Sequence, residues 1–95
     1  MSMHTYVIER ELPGAGELTE AELHTIATKS NAVIADMNHV KPRVQWVQSY
    51  VTADKIYCVY RAVDAESLRD HAGSGGFPAN VVSEVKSFFD PTTGD

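Results

Sequence analysis

VQWVQSYVTADKIYCVY, residues 44–60, contains two β-rich runs on either side of Thr52-Ala53-Asp54-Lys55. Valine, isoleucine and aromatic residues suit a pleated, half-buried surface, and a short polar break between two such runs predicts a hairpin. If Thr52 pairs with Lys55, Val51 faces Ile56, Tyr50 faces Tyr57, Ser49 faces Cys58, Gln48 faces Val59, Val47 faces Tyr60 and Trp46 faces Arg61. Alternation then puts Val47, Ser49, Val51, Ile56, Cys58 and Tyr60 on one side, and Trp46, Gln48, Tyr50, Tyr57, Val59 and Arg61 on the other. Ala53-Asp54 lacks the glycine favoured in a tight turn, and an odd loop length would exchange the two faces.

Upstream, Met3 to Glu9 includes Tyr6-Val7-Ile8 and predicts a first strand that stops at Leu12-Pro13-Gly14-Ala15-Gly16. Thr19-Glu20-Ala21-Glu22 is a capping box: the threonine hydroxyl accepts the amide of Glu22, whose carboxylate reaches back to the amide of Thr19. Leu18 and Leu23 flank it at hydrophobic-staple spacing. From there Leu23, Ile26, Ala27, Ser30, Val33, Ile34 and Met37 share one face of a helix, while His24, Thr28, Asn31 and Ala35 lie opposite. Pro42 removes a backbone donor and restricts Lys41, so the helix ends before it.

Downstream, Asp64 offers an N-cap to a second helix through Ala65, Leu68 and Ala72, which Gly73-Ser74-Gly75-Gly76 terminates. Val81 to Phe89 alternates as a last strand, with Val81, Ser83 and Val85 opposite Val82, Glu84, Lys86 and Phe88. The order strand, helix, strand, strand, helix, strand predicts an α+β, ferredoxin-like βαββαβ sandwich: a four-stranded antiparallel sheet with two helices on one face. All 95 residues belong to this single domain, with 90–95 as a polar tail.

Helices that cover one sheet face leave the other open. The small Ser49 and Cys58 let a helix approach, so their side is assigned to the helices and the Trp46, Gln48, Tyr50, Tyr57 and Arg61 side to the open face. An extended apolar patch on an open face marks a ligand site or an interface. In a short chain with a thin core, a homodimer formed through that face would add useful burial.

Composition narrows the partners. A net charge of −5 disfavours nucleic-acid phosphates and anionic membranes. Tyr6, Tyr57 and Tyr60 sit in strands of a fold shared with RNA-recognition domains, yet Lys55-Ile56-Tyr57-Cys58-Val59-Tyr60 lacks that family's glycines and aromatic spacing. Cys58 is the only cysteine, which excludes an intrachain disulfide and a four-thiolate zinc site. The absence of a long apolar run or a basic, then apolar, start gives the cytoplasm as the expected location.

No motif names a reaction. Cys58, in mid-strand between Tyr57 and Val59, reads as core rather than as a nucleophile. The four histidines, His4, His24, His39 and His71, share no short ligand spacing, so a metal site must be assembled across elements or subunits. His71 is the best placed, near a helix end beside Asp70 and a turn from Glu66, although a cationic histidine there needs no ligand to explain it. Glu9, Glu84 and Arg61 are strand charges that become site candidates if they point into a closed interior.

TYVIERELPGAGELT, the 44–60 hairpin, LRDHAGSGGFPANVVSEV and the closing DPTT together resemble a bacterial family of small proteins of undefined function that includes a nickel-responsive, nickel-binding member. The resemblance covers nearly the whole chain. It implies a ferredoxin-like sandwich, a homodimer and a role in binding nickel or another transition metal, with His71 as the first ligand carried over and Glu9 and Glu84 next. Where this chain has Gln48, the family often has histidine, and glutamine is a poor transition-metal ligand. Three functions follow as alternatives: metal binding, a small-molecule or enzymatic site between two sheet faces of a dimer, and a non-catalytic assembly module.

Overall fold

Alternation along the first strand decides where the core lies. In the computed structural model, which describes residues 2–95, β1 (His4–Glu11) buries Tyr6, Ile8 and Arg10 and turns Val7 and Glu9 the other way. The chain continues through α1 (Glu20–Met37), β2 (Val44–Val51), β3 (Lys55–Ala62), α2 (Ala65–Gly75) and β4 (Val81–Glu84). The strands form one antiparallel sheet in the order β2-β3-β1-β4, which is the ferredoxin-like arrangement. Tyr6, Ile8, Val44, Cys58, Tyr60 and Leu68 are among the buried side chains that make the core.

Local chemistry sets the helix ends. Both halves of the capping box form at α1, with Glu22 N to Thr19 Oγ1 at 3.1 Å and Thr19 N to Glu22 Oε1 at 3.0 Å. The anticipated inner face of α1 is the less exposed one, and His24, Thr28, Asn31 and Ala35 are exposed. At the other end, the Asn38 side chain donates to Val44 O at 2.8 Å and accepts from Arg43 N at 2.8 Å, fixing the crossing into β2. Asp64 caps α2 by accepting from Ser67 N at 2.8 Å.

The hairpin register holds from Val51↔Ile56 to Gln48↔Val59 and then slips. Val47 is an extra residue in β2, so Trp46 pairs with Tyr60 rather than Arg61. One inserted residue reverses the alternation, which corrects the placement of two side chains. Trp46 moves to the helix-covered face, where its ring stacks on Tyr60 at 6.5 Å between centroids, while Val47 is left 53% exposed.

Two further boundaries differ from expectation. The last strand stops at Glu84 because its partner runs out: Tyr6 pairs with Glu84, Val85 N donates to Thr5 O, and β1 begins at His4. Phe88 and Phe89 are exposed beyond it, and Asp90 caps a short 3-10 turn at Pro91–Gly94. In α2 the helix continues through Gly75 and ends where Gly76 adopts φ 69°, a left-handed conformation that glycine takes without strain.

Gly75 is needed for a different reason. A Cβ there would lie 2.2 Å from the Phe77 ring, which folds back beneath the helix end and stacks beside His71 at 5.4 Å. Gly73, in the same helix, has open space around it. Gly75→Ala should therefore destabilise the fold by about 1–3 kcal/mol through overpacking, whereas Gly73→Ala should be neutral or stabilising by about 0.5–1 kcal/mol. Urea unfolding of both variants checks this, and equal midpoints would contradict it.

Candidate functional site

Small side chains meet where α1 crosses the sheet, and they do not fill the space between them. Ala27 and Ser30 from α1 face Ser49 and Cys58 from the hairpin, and Ser30 is the only buried residue of α1. The result is a pocket of about 410 Å³, partly open to solvent, walled by Leu23, Ile26, Trp46, Ile56 and Phe77. Ligand pockets are typically apolar clefts with a few convergent polar groups, roughly 300–1,000 Å³ in volume.

The polar group that stands out is Arg10, on central strand β1 and only 5% exposed. Its Nε donates to Cys58 Sγ at 3.4 Å, Nη1 donates to the carbonyl of Pro78, and Nη2 donates to Tyr60 Oη at 3.3 Å. The guanidinium carbon lies 6.0 Å from the Tyr60 ring centroid and 5.6 Å from that of Phe77, within cation–π range. None of the ion pairs among the described residues includes Arg10. A buried cation without an anion is costly, so this charge is the most unusual electrostatic feature of the chain.

Its neighbours respond to it. His71 is fully buried, and its pKa is lowered to about 4, first by burial and then by the Arg10 charge. The Nε2 atom lies 3.0 Å from Ser30 Oγ, and Nδ1 has no hydrogen-bond partner among the described residues. Burial raises the Tyr60 pKa above 10, with Arg10 pulling the other way, so the phenol is neutral. A relay of hydrogen bonds ends on the same sulfur that accepts from Arg10: Trp46 Nε1 donates to Ser49 Oγ at 2.9 Å, and Ser49 Oγ donates to Cys58 Sγ at 2.9 Å. Cys58 is buried, as the sequence suggests, and also borders the pocket.

The carboxylates paired with His71 in the sequence reading do not reach it. Glu9 shares the open sheet face with Tyr57 and is held by Lys55 at 3.4 Å. Glu84 pairs in register with Tyr6 at the sheet edge and contacts His4 at 3.9 Å and Lys86 at 3.3 Å. Asp70 is taken by Arg43 at 2.9 Å. Glu9 and Glu84 thus lie on opposite faces of the sheet, and the neutral His71 is not the cation expected at a helix end. Among the described residues no three His, Cys, Asp or Glu side chains gather to hold a metal ion, so His71, Glu9 and Glu84 do not form a nickel site within one copy of the chain.

The expected aromatic face is divided as well. Gln48, Tyr50, Tyr57 and Arg61 remain on the open face, where Tyr50 is 53% exposed, whereas Trp46 lines the pocket on the far side of the sheet. Arg10 was not among the residues anticipated from sequence. Its signal is the period-2 pattern Tyr6, Ile8, Arg10, which carries a charge onto the apolar face of β1.

The model of the nickel responsive protein SCO4226-like family matches residues 6–85. The chain belongs to that family. A crystal structure of SCO4226 from Streptomyces coelicolor A3(2) superposes with a TM-score of 0.73 at 22% identity, covering 90% of this chain and 99% of that one, which supports the shared fold. No curated protein matches the chain.

Two outcomes follow from this family member's own geometry. His71 refuses a proton in the fold down to about 4 but accepts one near 6.5 when unfolded, so the unfolded chain binds more protons between those values. Stability is therefore full above pH 6.5 and falls as pH drops toward 4. Urea midpoints at about pH 7.5 and about pH 5 should differ more in the wild type than in His71→Gln. Calorimetric titration of metal-stripped protein with nickel should give the same isotherm for wild type, Glu9→Gln and His71→Gln, and a loss of heat in either variant would contradict the dispersed donor set.

Proposed function

We propose that the protein is a small-molecule binder whose site is the pocket between α1 and the covered face of the sheet. The observation that carries this is the juxtaposition of an unfilled apolar space with a buried, unpaired guanidinium. A core meant only for stability would be filled with apolar side chains, because cavities and unpaired buried charges both weaken a fold. The site lies within one chain, not between the sheet faces of two, so it does not depend on association. Ser30 Oγ, at the pocket wall, lies 3.0 Å from His71 Nε2, but both side chains are buried and Nδ1 has no partner among the described residues to orient the ring as a base, so binding rather than turnover is the function proposed.

Nickel stands outside this reading. The family is described as nickel responsive, and in this chain the His71, Glu9 and Glu84 donors are dispersed. A cytoplasmic location remains the accompanying proposal from sequence.

The open face favours a second element of the same proposal, association of two copies. Tyr50 and Val81 are 53% and 44% exposed there, with Tyr57 and Val59 half-buried beside them. Burying such a patch against its twin fits a twofold dimer. Sedimentation should show wild-type dimers and Tyr50→Glu monomers at equal concentration, and unchanged dimers in the variant would contradict this interface.

Trp46 is the only tryptophan and lines the pocket, which provides a direct optical test of the site. A neutral apolar dye such as phenylnaphthylamine should bind saturably and quench Trp46 by energy transfer. Ala27→Phe, which fills the pocket from α1, should abolish that binding while the protein stays folded by circular dichroism. Equal dye binding by the filled variant would overturn the proposed site.

A further inference from the structure

We infer that the pocket selects a monoanionic amphiphile: a carboxylate carried on an aliphatic or aromatic body, with the carboxylate seated on Arg10. The inference rests on the pocket being a ligand site and adds the class of ligand. Guanidinium has five N–H donors. Three are engaged, one each from Nε, Nη1 and Nη2. Five less three leaves two, one on each terminal nitrogen, and a carboxylate accepts such a pair with its two oxygens.

Charge balance fixes the valence of the ligand. Arg10 contributes one positive charge, and neither neutral Tyr60 nor neutral His71 offsets it. A monocarboxylate would neutralise the site, whereas a phosphate dianion would leave a net negative charge among apolar walls, at a desolvation cost. The Ser30 hydroxyl is already bonded to His71 and that of Ser49 to Trp46 and Cys58, which leaves little for a second polar group. The remainder of the ligand must therefore be apolar to match Leu23, Ile26, Trp46 and Phe77. Arg10 is also braced on three sides by Cys58, Pro78 and Tyr60, so its head is fixed before a ligand arrives.

Octanoate and octanamide, equal in chain and different in head-group charge, separate the two levels of the argument. With Trp46 fluorescence as the readout, the wild type should prefer octanoate by at least about tenfold, the gain expected from charge-assisted hydrogen bonds in a desolvated site. Arg10→Met should reduce that preference to about twofold or less, while still binding phenylnaphthylamine. Arg10→Lys keeps the charge without the fork and should fall between them, which preserves the test if the methionine variant unfolds.

Cys58→Ala removes one of the three braces and should lower the octanoate preference without abolishing it. A preference that appears only in that variant would mean that the sulfur already serves as the anion of Arg10, and would overturn the inference. Equal binding of octanoate and octanamide by wild type, with phenylnaphthylamine still bound, would refute the anionic ligand and leave the pocket standing. Failure of all three probes to bind would remove both.

Discussion

The charge of Arg10 is the constraint around which the covered half of the molecule is arranged. It enters the interior on β1, the strand bonded to both β3 and β4, where its position is fixed by two ladders. A cation placed there must have its donors satisfied, and the groups that do so come from distant parts of the chain: Cys58 and Tyr60 from β3 and the Pro78 carbonyl from the loop after α2. What those contacts do not supply is negative charge. Hydrogen bonds to a thiol, a phenol and a carbonyl solvate a guanidinium without neutralising it, and the pocket lies on the same side of the sheet.

The stretch after α2 serves that arrangement. Gly76 turns the chain in a conformation that side chains rarely adopt, and Gly75 offers a surface with no Cβ, so that Phe77 returns beneath the helix. Phe77 then presents one ring to His71, Arg10 and Lys29, and Pro78 directs its carbonyl to the guanidinium. Fold and site share these residues, which explains why a glycine run at a helix end is packed as closely as a core.

Most of the fold is legible in the sequence because its signals are local and mutually consistent. The capping box of α1, the Asp64 cap of α2 and the polar break at Thr52 to Lys55 each depend on neighbours a few residues away. The site is less legible because it depends on parity over longer distances. One extra residue at Val47 carries Trp46 across the sheet, and nothing in the composition of VQWVQ distinguishes a bulge from regular alternation. Arg10 is the converse case: the alternation Tyr6, Ile8, Arg10 points it inward, and a charge in a strand is ordinarily read as solvent-facing. In the sequence His71 stands out only for its place near a helix end, and its actual surroundings, Ser30, Tyr60 and Phe77, come from three separate elements or loops.

Family membership and pocket geometry therefore point to different chemistry, one named for nickel and the other built around an unpaired guanidinium in an apolar space. The central claim is that this guanidinium receives an anion. The arginine side-chain Nε–H resonances, followed by NMR during addition of octanoate, test it at the atoms concerned. The account predicts that the Arg10 signal, protected from exchange by burial, shifts saturably while those of exposed Arg61 and Arg69 stay in place. An Arg10 signal that does not move at concentrations where Trp46 reports binding would contradict it.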